Sequence, residues 1–433
     1  MFVNIQKAYS SWGRKISYTL FDQGFFSGAN FLVSLLLARY VNASVYGVFS
    51  ITYSIFLFLS GIYNSLVLEP INVLGPKKHD NDLLAYKRQS IKLHFLITSL
   101  LTILGLLCTF ILWELKIQPD YVKVSFFISL SFPFILFFWL ARQCAYLETK
   151  PKSAFYGSLI YASIYIGFFL VLVFTHKIQV SYIFIIMAFA STIGGLFVFR
   201  QLGVNSSKII ISQFFRIPFI LQENWSFGKW ILFASIAYGM SSLIYSPLIG
   251  VVLGVEQAGV FRGMQNFFMP FTQIVTALSL LVTPFLSRKR FKSTEAQFRK
   301  VISLLIWASL LVSAIYSGLI ILIAHPMIKL VYNNLIYDQN IWIIPYIGLS
   351  TILTALDSAL GVLNRVKERP FIVFYGKIAG AIAVLAISIP LVINFQMKGA
   401  LIGLNISLFV EGLTLFLFGD LFNKKLDKLP AIG

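Results

Sequence analysis

Seven residues able to carry charge or bond strongly lie in or at the ends of long apolar stretches: Asp22, Asn30, Arg39, Arg262, Asp357, Lys377 and Glu411. An acid inside a membrane span costs about 3 kcal/mol unless it faces a cavity or a partner. Asp22, Asp357 and Glu411 are therefore candidates for exchanging a proton or pairing with a cation. Arg39, Arg262 and Lys377 have the chemistry to hold an anionic head group, with Asn30 adding a hydrogen bond.

Spacing groups some of these side chains. At about 100° per residue, Asp22, Gln23, Ser27, Asn30 and Ser34 fall within an arc of roughly 140° on one helix. Ser235, Tyr238, Ser241, Ser242, Tyr245 and Ser246 do the same on another. Asp357, Lys377 and Glu411 each lie roughly 9 to 12 Å from the same end of consecutive helices, at a rise of about 1.5 Å per residue, so the three could meet at one level.

Each feature also has a plainer reading. Serine faces let transmembrane helices pack closely. Lys377 could form a buried ion pair with one acid or extend to the interface. Arg39 and Arg262 sit where head groups would be touched, and Arg142, closing the fourth apolar stretch, reads as a positive-inside anchor. Glu69 reads as interfacial. His79, His94, His176 and His325 read as residues of loops or helix ends without metal-ligand spacing.

The elements that must position these groups are about twelve apolar stretches, near residues 17–38, 44–68, 93–113, 122–141, 155–175, 182–199, 230–252, 260–286, 301–324, 341–363, 371–393 and 399–419. Each is about the length that spans a bilayer. With 58% hydrophobic and 12% charged residues and a mean hydropathy of +0.83, most of this chain has lipid as its solvent. The fold class is all-α, a polytopic membrane protein. The first stretch follows Lys7, Arg14 and Lys15 and lacks a small-residue cleavage site, so it reads as a retained helix.

Of the 35 Lys and Arg residues, 27 fall at the two ends and in the alternate loops that share their side. The other side has Arg39, Lys116, Lys123, Lys177, Arg262, Lys329 and Lys398. The positive-inside rule places both termini in the cytoplasm and requires an even number of spans. The net charge of +19 is thus mainly topology, and scattered basic loops without a groove argue against nucleic-acid binding.

An internal repeat organises the spans. Gly-Val-Phe recurs at Gly47 and Gly259, each after the first span of a half, and each is followed by a proline, Pro70 and Pro284. Two parallel halves follow: residues 1–200, a cytoplasmic linker at 201–229, and residues 230–433, with six helices per half.

Enzyme chemistry has little support. Asp80-Asn81-Asp82 has the form of a glycosyltransferase metal motif but sits in a short lysine-rich loop, and no outer loop is long enough to hold an acceptor. No glycine-rich loop cradles ATP phosphates. Cys108 and Cys144 form no disulfide or metal pattern, and no cofactor is expected.

The opening helix pair, with FSGANFLVSLLLARYVNASVYGVFSITYSIFLFLSG from Phe26 and its Glu69-Pro70 end, resembles the polysaccharide flippases (Wzx, O-antigen type) of the multidrug/oligosaccharidyl-lipid/polysaccharide exporter superfamily. The helix from Gly259 towards Pro284 is similar. The resemblance implies a bundle of two six-helix halves around a central cavity that opens alternately to each side, and a substrate that is an undecaprenyl-pyrophosphate-linked oligosaccharide, moved across a bacterial plasma membrane. Expected partners are that lipid-linked glycan, membrane lipid and polysaccharide polymerase machinery. The alternative is a proton- or sodium-coupled multidrug exporter of the same superfamily, using Asp22 as its ion site. A membrane glycan polymerase or transferase is the third reading.

Overall fold

The computed structural model describes residues 2–78, 82–204, 217–275, 278–279, 282, 286, 294–332, 334–367 and 369–426. Among these, the regular structure is entirely helical. The first sequence half contributes α1 (Phe2–Tyr40), α2 (Ala43–Tyr63), α3 (Glu69–Lys78), α4 (Leu83–Glu114), α5 (Pro119–Leu147), α6 (Pro151–Phe174) and α7 (Val180–Gln201). The second contributes α8 (Ile217–Tyr238), α9 (Tyr245–Val252), α10 (Val255–Asn266), α11 (Glu295–Val331), α12 (Leu335–Gln339), α13 (Ile344–Val366), α14 (Pro370–Ala383) and α15 (Ile389–Leu426). Single π-helical turns join α2 to α3 at Asn64–Leu68, follow α8 at Gly239–Leu243 and join α14 to α15 at Val384–Ser388.

Among the described residues nine helices are long and apolar enough to cross a membrane, ten if the bent pair Ile231–Leu243 and Tyr245–Val252 counts as one. The difference from twelve has two causes. The segment Phe371–Gly419 contains both the eleventh and twelfth expected spans, and the chain reverses between them at Gln396, whose φ of 52° breaks the helix. A Cβ at Gly399 would strike the Leu391 carbonyl, as expected where the chain folds back so tightly. The eighth expected span, 260–286, runs partly through residues outside the described set. So do Pro284, Arg290, His79, Asp80, Asn81 and residues 205–216 of the expected linker. The rest of that linker, from Ile217, is already helix α8.

The chain forms two compact units, and their membership differs from the sequence halves. Unit 1 holds residues 1–34 and 55–235; unit 2 holds Leu35–Ser54 and residues 236–433. The end of α1 and the start of α2 thus pack with second-half helices, while most of α8 packs with the first half.

In unit 1, α5 packs on α4 and α7, and α6 packs on α7. Two prolines of this unit, Pro133 in α5 and Pro70 in α3, each leave a carbonyl without its usual donor four residues on, and a polar side chain supplies one. Pro133 leaves the Ser129 carbonyl, which accepts from Thr102 Oγ1 at 3.1 Å. Pro70 leaves the Leu66 carbonyl, which accepts from Asn224 Nδ2 at 3.0 Å. His94, expected near a helix end, lies inside α4 with no exposure, its Nδ1 2.8 Å from Tyr63 Oη. Helix α4 begins ten residues before the expected span, which is why His94 is interior.

Unit 2 is built from α11 on α13, α13 on α15 and α14 on α15. The hydroxyls of the seventh expected span, on α8 and α9, serve the packing role that serine faces allow and tie neighbouring helices together. Tyr245 Oη lies 2.9 Å from Ser388 Oγ and 3.1 Å from Ser407 Oγ. Ser246 pairs with Ser50 at 3.1 Å, and in unit 1 Ser235 pairs with Ser65 at 2.8 Å.

The ends of α4, α5 and α7 are tied by one buried lysine. Lys87, 2% exposed, pairs with Glu148 and donates to the Leu202 carbonyl at 3.2 Å; Lys150 adds a second pair to Glu148 at 2.7 Å. Burial pushes the Glu148 carboxyl up, but the hydrogen bonds from Lys150 and Lys87 outweigh it and hold it below the usual carboxylate range. A carboxyl depressed by folding stabilises fully above its unfolded value, near pH 4.3, and loses that contribution as pH falls through the folded value. Glu148→Gln should therefore lower the melting temperature of detergent-solubilised protein by several degrees at pH 7, with the gap from the unsubstituted protein closing below about pH 4. A gap that is unchanged across that range would contradict the tie.

Candidate functional site

Asp22 sits in the middle of unit 1 with no exposed surface. Its carboxylate accepts from Arg142 Nη2 at 2.7 Å and Nε at 3.1 and 3.2 Å, and from the hydroxyls of Tyr146 and Ser158. Arg142 and Tyr146 are four residues apart, which puts both on the face of α5 that meets α1. The guanidinium also lies 4.2 Å from the centroid of Phe26 and donates to Gln23 Oε1 at 3.1 Å. Arg142 is therefore the counter-charge of Asp22 and not only an anchor at the membrane surface. Sequence gave no pairing between residues 120 apart; the one available signal was that an interior acid needs a cation. Asn30, two turns further along α1, accepts from Tyr161 Oη at 2.9 Å and donates to the Phe26 carbonyl.

Unit 2 brings together the other three ionisable candidates, as their common level suggested. Lys377 on α14 pairs with Glu411 on α15, and its ammonium lies 4.9 Å from the Tyr238 ring. Asp357 on α13 lies within electrostatic reach of both. It abuts Gly412, where a Cβ would come within 2.5 Å of Asp357 Oδ1. The charges do not balance: two carboxyls share one ammonium. Both carboxylate oxygens of Asp357, together with Glu411 Oε2, are buried without a hydrogen-bond partner. Asp357 is 7% exposed and Glu411 2%. Such a site can accommodate one further positive charge, a proton or another cation, because an unmatched buried carboxylate is costly.

Arg39 and Arg262 go to separate tasks in unit 2. Arg39, in the last turn of α1, donates to the carbonyls of Leu330 and Val331 at 2.6 and 3.2 Å, satisfying the free end of α11. Arg262 is half-buried 5.9 Å from the Tyr53 ring, with its Nε lacking a partner. An open apolar groove lined by residues including Phe271, Leu278, Val312, Ala355 and Ser358 lies on the face of α13 away from Asp357, since Ala355, Ala359 and Val362 point roughly 140° to 160° away and Ser358 about 100°. The groove and the charged cluster are distinct features. Among the described residues no group of three metal-ligating side chains occurs.

Neither the protein-family models nor the curated protein sequences match this chain. Solved structures do. The chain is similar to an inward-facing multidrug resistance MATE family transporter of the MOP superfamily, with a TM-score of 0.78 and 12% identity over 94% of this chain and 96% of that one. The likeness is one of fold. A eukaryotic MATE transporter, AtDTX14, aligns at 16% identity and a TM-score of 0.66, covering 94% of this chain and 95% of the other. A MOP superfamily transporter from Pyrococcus furiosus, whose binding pocket is described as reversed in polarity, aligns at 13% identity and 0.62, covering 96% and 94%. The fold is thus that of MATE transporters, which agrees with two sets of transmembrane helices.

The Asp22 geometry makes a stability prediction. Asp22→Asn or Arg142→Gln alone leaves a buried charge unmatched and should cost about 3 to 5 kcal/mol, seen as a lower melting temperature in detergent. The double variant removes both charges and should be more stable than the sum of the single losses implies. Simple additivity would show that the two residues are not paired.

Proposed function

We propose that this chain is a secondary transporter that exports organic cations by alternating access, driven by a proton or sodium gradient, with Asp357 as the coupling acid. The observation that carries the reading is the unmatched charge: Asp357, with both oxygens unpartnered, beside an existing Lys377–Glu411 pair. A cation arriving at such a site replaces a proton or ion, and that exchange links the two fluxes. One charge moved across 100 mV supplies about 2.3 kcal/mol, a usable bias on a two-state bundle. The likeness to multidrug resistance MATE transporters supports this reading. Asp22, proposed from sequence for the coupling role, is here assigned to structure, because its charge is already matched by Arg142.

The second reading is the flippase. Arg262, half-buried with a free Nε beside Tyr53, offers a cation for the pyrophosphate of an undecaprenyl-pyrophosphate-linked oligosaccharide. On that reading Arg39 and Lys377 are less available, because each is held by another group. Polysaccharide polymerase machinery and membrane lipid would then be its partners. For both readings the proposed setting is a bacterial inner membrane with both termini cytoplasmic, from the Lys and Arg distribution.

In proteoliposomes, ethidium or tetraphenylphosphonium should accumulate when a pH or sodium gradient is imposed, and Asp357→Asn should reduce gradient-driven transport at least tenfold while remaining folded. Transport by Asp357→Asn equal to that of the unsubstituted protein would remove the coupling role. Absence of cation transport, with gradient-independent translocation of a lipid-linked oligosaccharide that Arg262→Ala abolishes, would favour the flippase.

A further inference from the structure

The Lys377 ammonium is held at one acid from two sides. It pairs with Glu411 on α15, and it lies 4.9 Å from the ring of Tyr238, the last residue of α8. A carboxylate together with an aromatic face is a strong way to bind a positively charged nitrogen away from water. Lys377 therefore fills a cation site with a cation that belongs to the chain.

The surroundings supply nothing that matches the second acid. Gly380 stands one turn beyond Lys377, and a Cβ there would lie 3.5 Å from Glu411 Oε2 and 3.3 Å from Ser241 Cβ. That oxygen thus faces a helix backbone whose N–H groups are already bonded within the helix. Asp357, buried on α13, lies within electrostatic reach of Glu411 and Lys377, yet neither of its oxygens has a hydrogen-bond partner. The cluster in unit 1 is the balanced case: one guanidinium meets one carboxylate, and both Asp22 oxygens are bonded. In unit 2 two acids share one ammonium, which leaves a single negative charge to be matched from outside.

We infer that Lys377 sets the charge of the substrate: by keeping Glu411 permanently matched, it restricts this site to cations that carry one positive charge. The inference rests on the exporter reading and adds the charge class to it. With a proton on Asp357 the cluster is neutral. A singly charged cation replaces that proton, which leaves the carboxyl oxygen for water, and the cluster is neutral again. A doubly charged cation would leave one positive charge in excess within the membrane, where it is costly.

The test compares ethidium, which has one positive charge, with propidium, which has the same ring system and two, binding to the full-length protein in detergent. The unsubstituted protein should bind ethidium at least tenfold more tightly than propidium. Lys377→Gln leaves two unmatched acids and should reverse that order. Glu411→Gln leaves one lysine for one acid and should weaken the binding of both dyes at least tenfold, whereas the double variant, with one acid and no lysine, should again prefer ethidium. Neither of these two variants has more unmatched charge than the unsubstituted protein, so they decide the case even if Lys377→Gln does not fold. An unchanged dye ratio in Lys377→Gln, or ethidium binding by Glu411→Gln equal to that of the unsubstituted protein, would overturn the inference. Infrared spectra of the substrate-free protein count the same charges: between neutral and alkaline pH the unsubstituted protein should lose about one protonated-carboxyl band, Lys377→Gln about two and Glu411→Gln none. If the unsubstituted protein binds neither dye, the exporter reading fails, and the infrared count still decides whether Lys377 leaves the site one charge short; a single band in Lys377→Gln would show that it does not.

Discussion

Every polar group inside these helices has to find its partner within the protein, because lipid supplies none. That constraint accounts for most of the interior. The carbonyls freed by Pro70 and Pro133 accept from Asn224 and Thr102, the end of α11 is closed by Arg39, and the hydroxyls of the seventh helix bridge neighbouring helices. Asp22 has a bidentate guanidinium and two hydroxyls. Other buried polar atoms also lack a protein partner, among them Trp139 Nε1, Arg262 Nε and Asn364 Oδ1; Asp357 and Glu411 Oε2 differ in being carboxylate oxygens grouped around a single ammonium, which is why the proposed function places cation binding there.

The two units divide the work on this account. Unit 1 holds a closed electrostatic cluster whose partners come from three helices, α1, α5 and α6. It is also rigidly packed, with Phe26 and Phe138 flanking the guanidinium. Unit 2 holds the incomplete cluster, set on α13, α14 and α15, beside a reversal at Gln396 that brings Lys377 and Glu411 alongside each other. Of the three π-helical turns, Gly239–Leu243 follows closely on the point where the chain passes from unit 1 to unit 2, and Val384–Ser388 contributes the Ser388 hydroxyl that meets Tyr245. A turn of that kind loosens the helical ladder locally.

Much of the architecture was legible in the sequence because membrane spans are written in composition over about twenty residues. The helical class, the expected spans and the common level of Asp357, Lys377 and Glu411 came from length and rise per residue alone. What escaped was anything decided by a partner far away in sequence. Arg142 looked like an interfacial anchor since its position at a helix end is the usual place for one; only the fold shows Asp22 across from it. The serine faces could not be given a partner from sequence, because polarity reads the same whether hydroxyls face a cavity or another helix. The exchange of Leu35–Ser54 into unit 2 was likewise invisible.

The central claim is that the Asp357 site holds a positive charge that an incoming cation displaces. Proton release measured in weakly buffered detergent solution tests it directly. On adding tetraphenylphosphonium at neutral pH in sodium-free medium, the account predicts about one proton released per cation bound, and none from Asp357→Asn. Cation binding with no proton released, and no dependence on sodium when that ion is supplied instead, would contradict it.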